Sequence, residues 1–278
     1  MRLPELEFRA RIVRGVRRFL DEAGFLEVET PVRIFAPAPE PHIDCPPCGR
    51  GFLRASPELQ MKKLLAQGLD KIYQLGPCFR EGENGSRHSD EFTMLEWYRK
   101  NADYRDLMAD MEALIVSLAG PLEFRRLTVR EAYRRYAGWD PFERFDQDRF
   151  DYDMAVKIEP ALAGWTFLVD YPVECASLAR ISDGKAERWE LYHDGLELAN
   201  AFTELCDGEE QRKRFELARA ERRALGEADY PLDEVFLSLL PLVGSAAGVA
   251  LGIDRLVMAI GEENRISGAR VLEIFPEK

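Results

Sequence analysis

The sequence predicts an α+β protein, a largely antiparallel sheet flanked by helices. Three observations carry this. Apolar residues recur at helical spacing over 5–23 and 104–118. Strand-like runs at 187–193 and 196–202 are linked by Asp194-Gly195, a two-residue hairpin turn. Strands joined by hairpins cannot all be parallel, and these are scattered among long helices instead of alternating with them.

Taken in order, Phe8, Ile12, Val16, Phe19 and Leu20 line one face of the first helix, which Gly24 ends. A strand from Phe25 to Glu29 runs into Pro31. Residues 36–51 hold five prolines and two glycines and read as a loop. Ser56-Pro57 opens a helix, with serine as N-cap and proline at the first position, reaching about Gln67. Strands at Lys71–Phe79 and Phe92–Arg99 flank a polar loop, 81–91. In 104–118, Leu107, Met111, Leu114 and Leu118 share a face. The stretch 120–160 is motif-poor and reads as a helical insertion without a role. Phe167–Tyr171 is a strand. Asp207 and Glu210 predict a capping box for a helix to about Leu225. Gly248–Gly252 is a glycine-punctuated strand entering a helix at Ile253. The expectation is a single domain over 1–278.

Of 278 residues, 46% are hydrophobic and 32% charged, with a net charge of −12, a profile that excludes wholesale disorder. The acidic excess disfavours a nucleic-acid backbone as main partner. No apolar run could span a membrane, and the opening residues lack a signal's apolar block, so a cytoplasmic protein is expected. Five cysteines (Cys45, Cys48, Cys78, Cys175, Cys206) make a poor disulfide framework. Cys45-Pro-Pro-Cys48 has no second pair for zinc and reads as a proline-stiffened loop. Walker and Rossmann fingerprints are missing, and three histidines without a nucleophile elbow disfavour acyl-enzyme hydrolysis.

Three segments concentrate chemistry. FREGENGSRHSDEFTMLEWY (79–98) places Arg80 at a strand end, and the period of 2 sends Phe92, Met94, Glu96 and Tyr98 to one face of the returning strand. That face suits the floor of a pocket for a cationic ligand; a half-exposed strand reads from the same pattern. WELYHDGLELANAFTEL (189–205) sets Glu190, Glu197 and Glu204 among Trp, Leu and Phe. Buried carboxylates need cations, so magnesium or an ammonium ligand fits, as does an edge hairpin with its glutamates in water. Alternation does not place Glu197 with Asn200 and Glu204; a shared site requires a bulge or a strand end. In GVALGIDRLVM (248–258), Gly248, Ala250 and Gly252 let a ligand approach the backbone, and Arg255 lies in the first turn of a helix, where anions are favoured. By itself this junction reads as packing. Together, Arg80, His88 and Arg255 can hold phosphates, while Glu58, Glu96 and Glu204 are available for an amine.

With these segments in view, the chain resembles the catalytic domain of class II aminoacyl-tRNA synthetases of the lysyl type over nearly its whole length. The opening helix and strand to Pro31 resemble motif 1, the dimer-forming element. Residues 79–98 resemble motif 2, and 248–258 motif 3. The resemblance implies ATP and Mg2+ as cofactors and a homodimer. It implies that Arg80 and Arg255 are catalytic: Arg80 contacts the substrate carboxylate and the α-phosphate, while His88 and Arg255 hold the distal phosphates. Phe92 and Arg255 would sandwich adenine, with Leu191 and Gly252 as further ATP contacts. Glu190 and Glu197 would bind magnesium, and Asn200 would help fix the carboxylate. Glu58 would receive the nearer ammonium group, and Glu96, Tyr98 and Glu204 the distal one, with Ser56, Pro57 and Ala250 completing the pocket. Two acidic sub-sites imply a diamino acid.

Two departures matter. Gly82 stands where the family has an acidic residue, between Glu81 and Glu83, so recognition of the adenine edge is expected to be rearranged. Motif 1 begins within the first dozen residues, leaving no room for an anticodon-binding barrel, so tRNA is not the expected partner. RASPEL (54–59), RHSDEFTMLEWYR and GVALGIDR, with Ala250 where the synthetase has glycine, resemble the free-standing elongation factor P–(R)-β-lysine ligase family. This implies that a diamino acid, (R)-β-lysine, passes from its adenylate to a lysine side chain of elongation factor P. The alternatives are the same chemistry on a tRNA-like or other acceptor, and a non-catalytic paralog that serves as a binding subunit.

Overall fold

The computed structural model describes residues 3–263 and 265–269. These fall into two compact units, Met1–Lys100 with Cys206–Gly244 and Leu251–Lys278, and Asn101–Leu205 with Ser245–Ala250.

In the first unit, α1 (Leu3–Glu22) buries Ile12, Val16 and Leu20 at four-residue spacing, as the periodicity predicts. The following strand is shorter than expected: β1 (Leu26–Glu27) pairs in parallel with the chain at Ile72 and Tyr73. The proline-rich loop is not wholly irregular. Here β2 (Arg33–Ile34), β3 (Pro47–Cys48) and β4 (Gly51–Leu53) make a small sheet in the order β2-β4-β3. Helix α2 (Glu58–Ala66) starts one residue later than predicted. Pro57 occupies the cap position and its ring carries no acceptor, so the Ser56 hydroxyl accepts the Glu58 N–H from one residue further back, at 2.9 Å. In the predicted hairpin, β5 (Lys71–Phe79) has the expected bounds and β6 (Glu91–Lys100) is one residue longer at each end. Its register sets Phe92 opposite Cys78, Glu96 opposite Gln74 and Tyr98 opposite Ile72, so Phe92, Met94, Glu96 and Tyr98 share a face.

In the second unit, α3 (Tyr104–Ala119) is capped reciprocally by Asp103 and Asp106. The segment expected as a helical insertion opens instead with β7 (Phe124–Thr128), which pairs in parallel with β8 (Trp165–Tyr171). Two consecutive arginines in so short a strand hide the period from sequence reading. Between them α4 (Val129–Ala132) and α5 (Gln147–Asp153) each run on into a π-helical turn, Tyr133–Ala137 and Met154–Ile158. Tyr133 stacks on Phe150 with ring centroids 4.6 Å apart and donates its hydroxyl to the Phe150 carbonyl at 2.7 Å. Both belong to an apolar cluster that includes Tyr171 and Tyr192. After β9 (Ile181–Ser182), β10 (Lys185–His193) and β11 (Leu196–Thr203) form the predicted hairpin. Its turn residues have φ of 47° at Asp194 and 73° at Gly195. Successive positive φ values at a two-residue turn match the twist of paired strands.

The chain returns to the first unit as α6 (Gly208–Leu225), capped by the Asp207 carboxylate on Glu209 and Glu210 N–H. The capping box is not closed, because the Glu210 carboxylate goes to Arg214 at 3.1 Å. The short α7 (Glu234–Leu239) was not anticipated. Finally β12 (Ala246–Gly252) leads into α8 (Ile253–Gly261), followed by α9 (Ile266–Ala269). Second-unit strands run in the order β12-β11-β10-β8-β7. The helix-flanked, mostly antiparallel α+β class holds, with parallel pairs at β1–β5 and β7–β8. Among the described residues no helix is long and apolar enough to cross a membrane.

Candidate functional site

The acidic group of the first unit is built on one strand and one helix start. Glu96, in the middle of β6, is 1% exposed. Its Oε1 accepts the Ser56 hydroxyl at 2.5 Å and its Oε2 the Tyr98 hydroxyl at 2.8 Å. Burial, reinforced by the negative charge of Glu58, raises its pKa from 4.5 to about 7. Burial outweighs the two donors because neither carries charge. Glu58, the first residue of α2, has a cation of the protein's own: Lys62 Nζ lies 2.6 Å from its Oε1, one helical turn on. Ser56, Pro57, Glu58, Glu96 and Tyr98 are thus one assembly, held by the RASPEL turn against β6.

A raised carboxylate pKa has a definite sign. Between about 4.5 and about 7 the native protein binds a proton that the unfolded chain has released, so this group's stabilisation declines as pH rises through that window. A cation binding at Glu96 favours the ionised form and competes with that proton. Affinity for a cationic substrate is expected to fall, by up to about tenfold per pH unit, as pH drops below about 7. A Michaelis constant for the amine substrate that stays flat over this range would contradict the assignment.

Arg80 follows β5 directly. Its guanidinium lies over the Phe92 ring at 5.3 Å and reaches Glu83 at 3.5 Å. A cation on a ring face is worth about 0.5–1 kcal/mol where exposed, enough to bias a long side chain toward one pose. His88 bridges back to Gly85 within the 81–91 loop. Arg255, in the first turn of α8 after Gly252, donates to His88 Nε2 at 2.6 Å and to the Arg87 carbonyl at 3.3 Å. Arginine has no acceptor, so His88 must accept through Nε2 and carry its proton on Nδ1. Burial and the Arg255 charge lower the pKa of His88, which keeps it neutral. Gly82 adopts φ +81°, a conformation in which a side chain would be strained.

In the second unit, pairing places Glu190 opposite Asn200 and Leu191 opposite Ala199, then shifts so that Tyr192 faces Glu197. Leu198 is the extra residue. This irregularity turns Glu197 to the face of Glu190 and Asn200, which strict alternation forbids. Beyond Thr203, Glu204 is 3% exposed and bridges to Ala179, continuing the alternation of Asn200 and Phe202. Ala250 is half-buried in β12.

Glu190 has three donors: Tyr171 and Tyr192 hydroxyls on Oε2 and Arg188 on Oε1, each at 2.6 Å. Arg188 also donates to Asn200 Oδ1 and to the Cys175 carbonyl, both at 2.9 Å, and lies over the Tyr171 ring at 4.6 Å. Burial and the Glu190 charge push both tyrosine pKa values well up, so both remain donors. No group of three or more metal-ligating side chains occurs among the described residues. Magnesium needs less than that, since it is commonly held by one or two carboxylates and substrate phosphates. An ionised carboxylate has about four lone-pair sites, of which Glu190 uses three here, which leaves it one for such an ion.

Sequence reading missed Arg188, Tyr171, Tyr192 and Lys62. Arg188 and Tyr192 are two residues either side of Glu190, and Lys62 is four after Glu58, so period alone could have found them. Nothing local marks Tyr171.

The chain matches the family described as tRNA synthetases class II (D, K and N) over residues 3–277. It is similar to proteins named elongation factor P–(R)-β-lysine ligase. That of Proteus mirabilis is 37% identical, over 96% of this chain and 94% of its own. That of Vibrio cholerae is 36% identical, over 94% and 93%. That of Photorhabdus laumondii is 38% identical, over 92% and 90%. With the synthetase match spanning nearly every residue and these identities holding over at least 92% of this chain, the chain belongs to the class II aminoacyl-tRNA synthetases and, within them, to the elongation factor P–(R)-β-lysine ligase family.

Proposed function

We propose that the protein is an ATP-dependent ligase that activates a lysine-type diamino acid, (R)-β-lysine, as its adenylate and transfers it to a lysine side chain of elongation factor P. The observation that carries this is the buried, hydroxyl-held carboxylate of Glu96 beside Glu58, on the strand whose start bears the Arg80–Phe92 pair. An acidic assembly of this kind suits an ammonium group, and the names of the relatives supply the acceptor. Both units are assigned to one catalytic domain.

A substrate carboxylate oxygen attacks the α-phosphorus of ATP, the bond from phosphorus to the bridging oxygen breaks, and pyrophosphate leaves. The acceptor amine then attacks the acyl carbon, AMP leaves with the bonding electrons, the amine loses its proton and an amide forms. No protein nucleophile is needed; orientation alone can lower such barriers by about 7–11 kcal/mol. Arg80 neutralises charge at the carboxylate and α-phosphate. Arg255 and neutral His88, through Nδ1–H, hold the distal phosphates, and Phe92 and Arg255 take the adenine, with Leu191 and Gly252 alongside. Glu190 and Glu197 would hold magnesium, which when bound spreads phosphate charge. Glu58 takes the nearer ammonium; Glu96, Tyr98 and Glu204 take the distal one. Asn200 orients the carboxylate, and the Ala250 methyl selects against α-lysine. The motif 1 likeness of α1 and β1 supports a homodimer, a translation-factor acceptor fits a cytoplasmic location, and the acidic net charge disfavours tRNA.

Incubation of elongation factor P with the enzyme, ATP and (R)-β-lysine is expected to add one β-lysyl mass to the factor. Labelling of tRNA instead would favour the other acceptor, and absence of ATP–pyrophosphate exchange with every diamino acid would favour a binding subunit. Glu204→Ala is expected to raise the Michaelis constant for the amino acid about 100-fold and leave that for ATP within about twofold. Equal losses for both substrates would remove Glu204 from the amine sub-site.

A further inference from the structure

Phe92 and Arg255 are each adjacent in sequence to a residue of one buried node. Asp254, 2% exposed in the first turn of α8, does not cap its own helix. Its Oδ2 instead accepts the backbone N–H of Thr93 at 2.7 Å, and its Oδ1 pairs with the Arg9 guanidinium at 2.7 Å. Arg9 closes the triangle by donating to Thr93 Oγ1 at 2.9 Å, and it reaches the Ala269 carbonyl at 3.2 Å. Three elements, α1, β6 and α8, therefore meet at one carboxylate. Helix α1 is pressed close here: a Cβ on Gly261 of α8 would stand 3.0 Å from the Phe8 ring.

We infer that Asp254, fixed by Arg9, is a positioning residue that sets the gap between Phe92 and Arg255, and with it the fit of the purine between them. This rests on the nucleotide role proposed for those two residues. The physical reason is short linkage. Each stacking group is the immediate chain neighbour of a node residue, Phe92 of Thr93 and Arg255 of Asp254, and a carboxylate shared by an amide and a guanidinium has little freedom to move. Loss of the Arg9 charge would leave a buried carboxylate with one backbone donor, and α8 would shift to rehydrate it. The node also makes α1 part of the nucleotide machinery through contacts that touch no ligand.

The test compares Asp254→Asn and Arg9→Gln with the parent enzyme in ATP–pyrophosphate exchange and in direct ATP binding. Asparagine keeps the acceptor for Thr93 but not the ion pair. Each variant is expected to weaken ATP about tenfold, in dissociation constant and in Michaelis constant, with the amino-acid Michaelis constant unchanged. The double variant is expected to be no weaker than Asp254→Asn alone, because both changes remove one interaction. A merely structural node would lower the melting temperature and leave ATP affinity alone; that result overturns the inference, as would additive losses in the double variant. Should Asp254→Asn not fold, Arg9→Gln, altered only at a partly exposed side chain, gives the same decision. A parent enzyme that binds no ATP would instead sink the proposed function, a separate outcome from unaffected variants of an ATP-binding parent.

Discussion

Arg80→Ala is expected to lower the rate of adenylate formation by about 10²–10³-fold while leaving the melting temperature nearly unchanged. The magnitude is that of removing one preorganised donor from a site where charge develops. Stability should hold because the guanidinium has little structural work: it is partly exposed, reaches Glu83 only at 3.5 Å, and lies on the Phe92 ring. The split between activity and stability is the useful readout, measured by pyrophosphate exchange and thermal unfolding of one preparation. Lysine at this position should recover only part of the loss, since an ammonium cannot present a planar fork to a carboxylate and a phosphate together. A loss below about tenfold would place the developing charge elsewhere.

Arg188→Met carries the largest expected effect on stability. Its guanidinium joins Glu190, Asn200 and the Cys175 carbonyl, and Glu190 is only 8% exposed. Removing one partner of such a pair leaves a buried carboxylate with two neutral tyrosine donors, which costs about 3–5 kcal/mol. Arg188→Met combined with Glu190→Gln should regain much of that, because the stranded charge goes with the arginine. Urea unfolding of the two single variants and the double gives the coupling. Additive losses would mean that the pair is not a unit and that Arg188 acts through packing on Tyr171 alone.

The segment 120–160 acquires a structural place through the same group. Tyr171 and Tyr192 share an apolar cluster with Tyr133, Phe150 and Ile158, so the insertion forms the wall behind two of the three donors to Glu190. Sequence reading assigned it nothing, because its content is packing at irregular spacing, broken by two π-helical turns, and neither the 3.6 nor the 2.0 period survives such turns.

The strand face of Phe92, Glu96 and Tyr98, the Asp194-Gly195 hairpin and the Arg255 helix start were all legible, since each follows from a local period or a turn whose backbone only a few residues adopt. Local chemistry also named most of the candidate acidic and basic groups. The face of Glu197 was not legible. One extra residue at Leu198 reverses the alternation, and a register shift is a property of two strands together, invisible in either alone. Nor could the sequence tell which carboxylates the protein would satisfy internally: Glu190 with Arg188, Tyr171 and Tyr192, and Asp254 with Arg9 and Thr93. A buried charge must find donors wherever the fold brings them, and Arg9 lies 245 positions from the aspartate it holds. By itself the sequence determined the kinds of groups and the surfaces they share along each element. Only tertiary structure decided which of those charges is held by the protein itself, because partnership depends on distances the chain sets after folding.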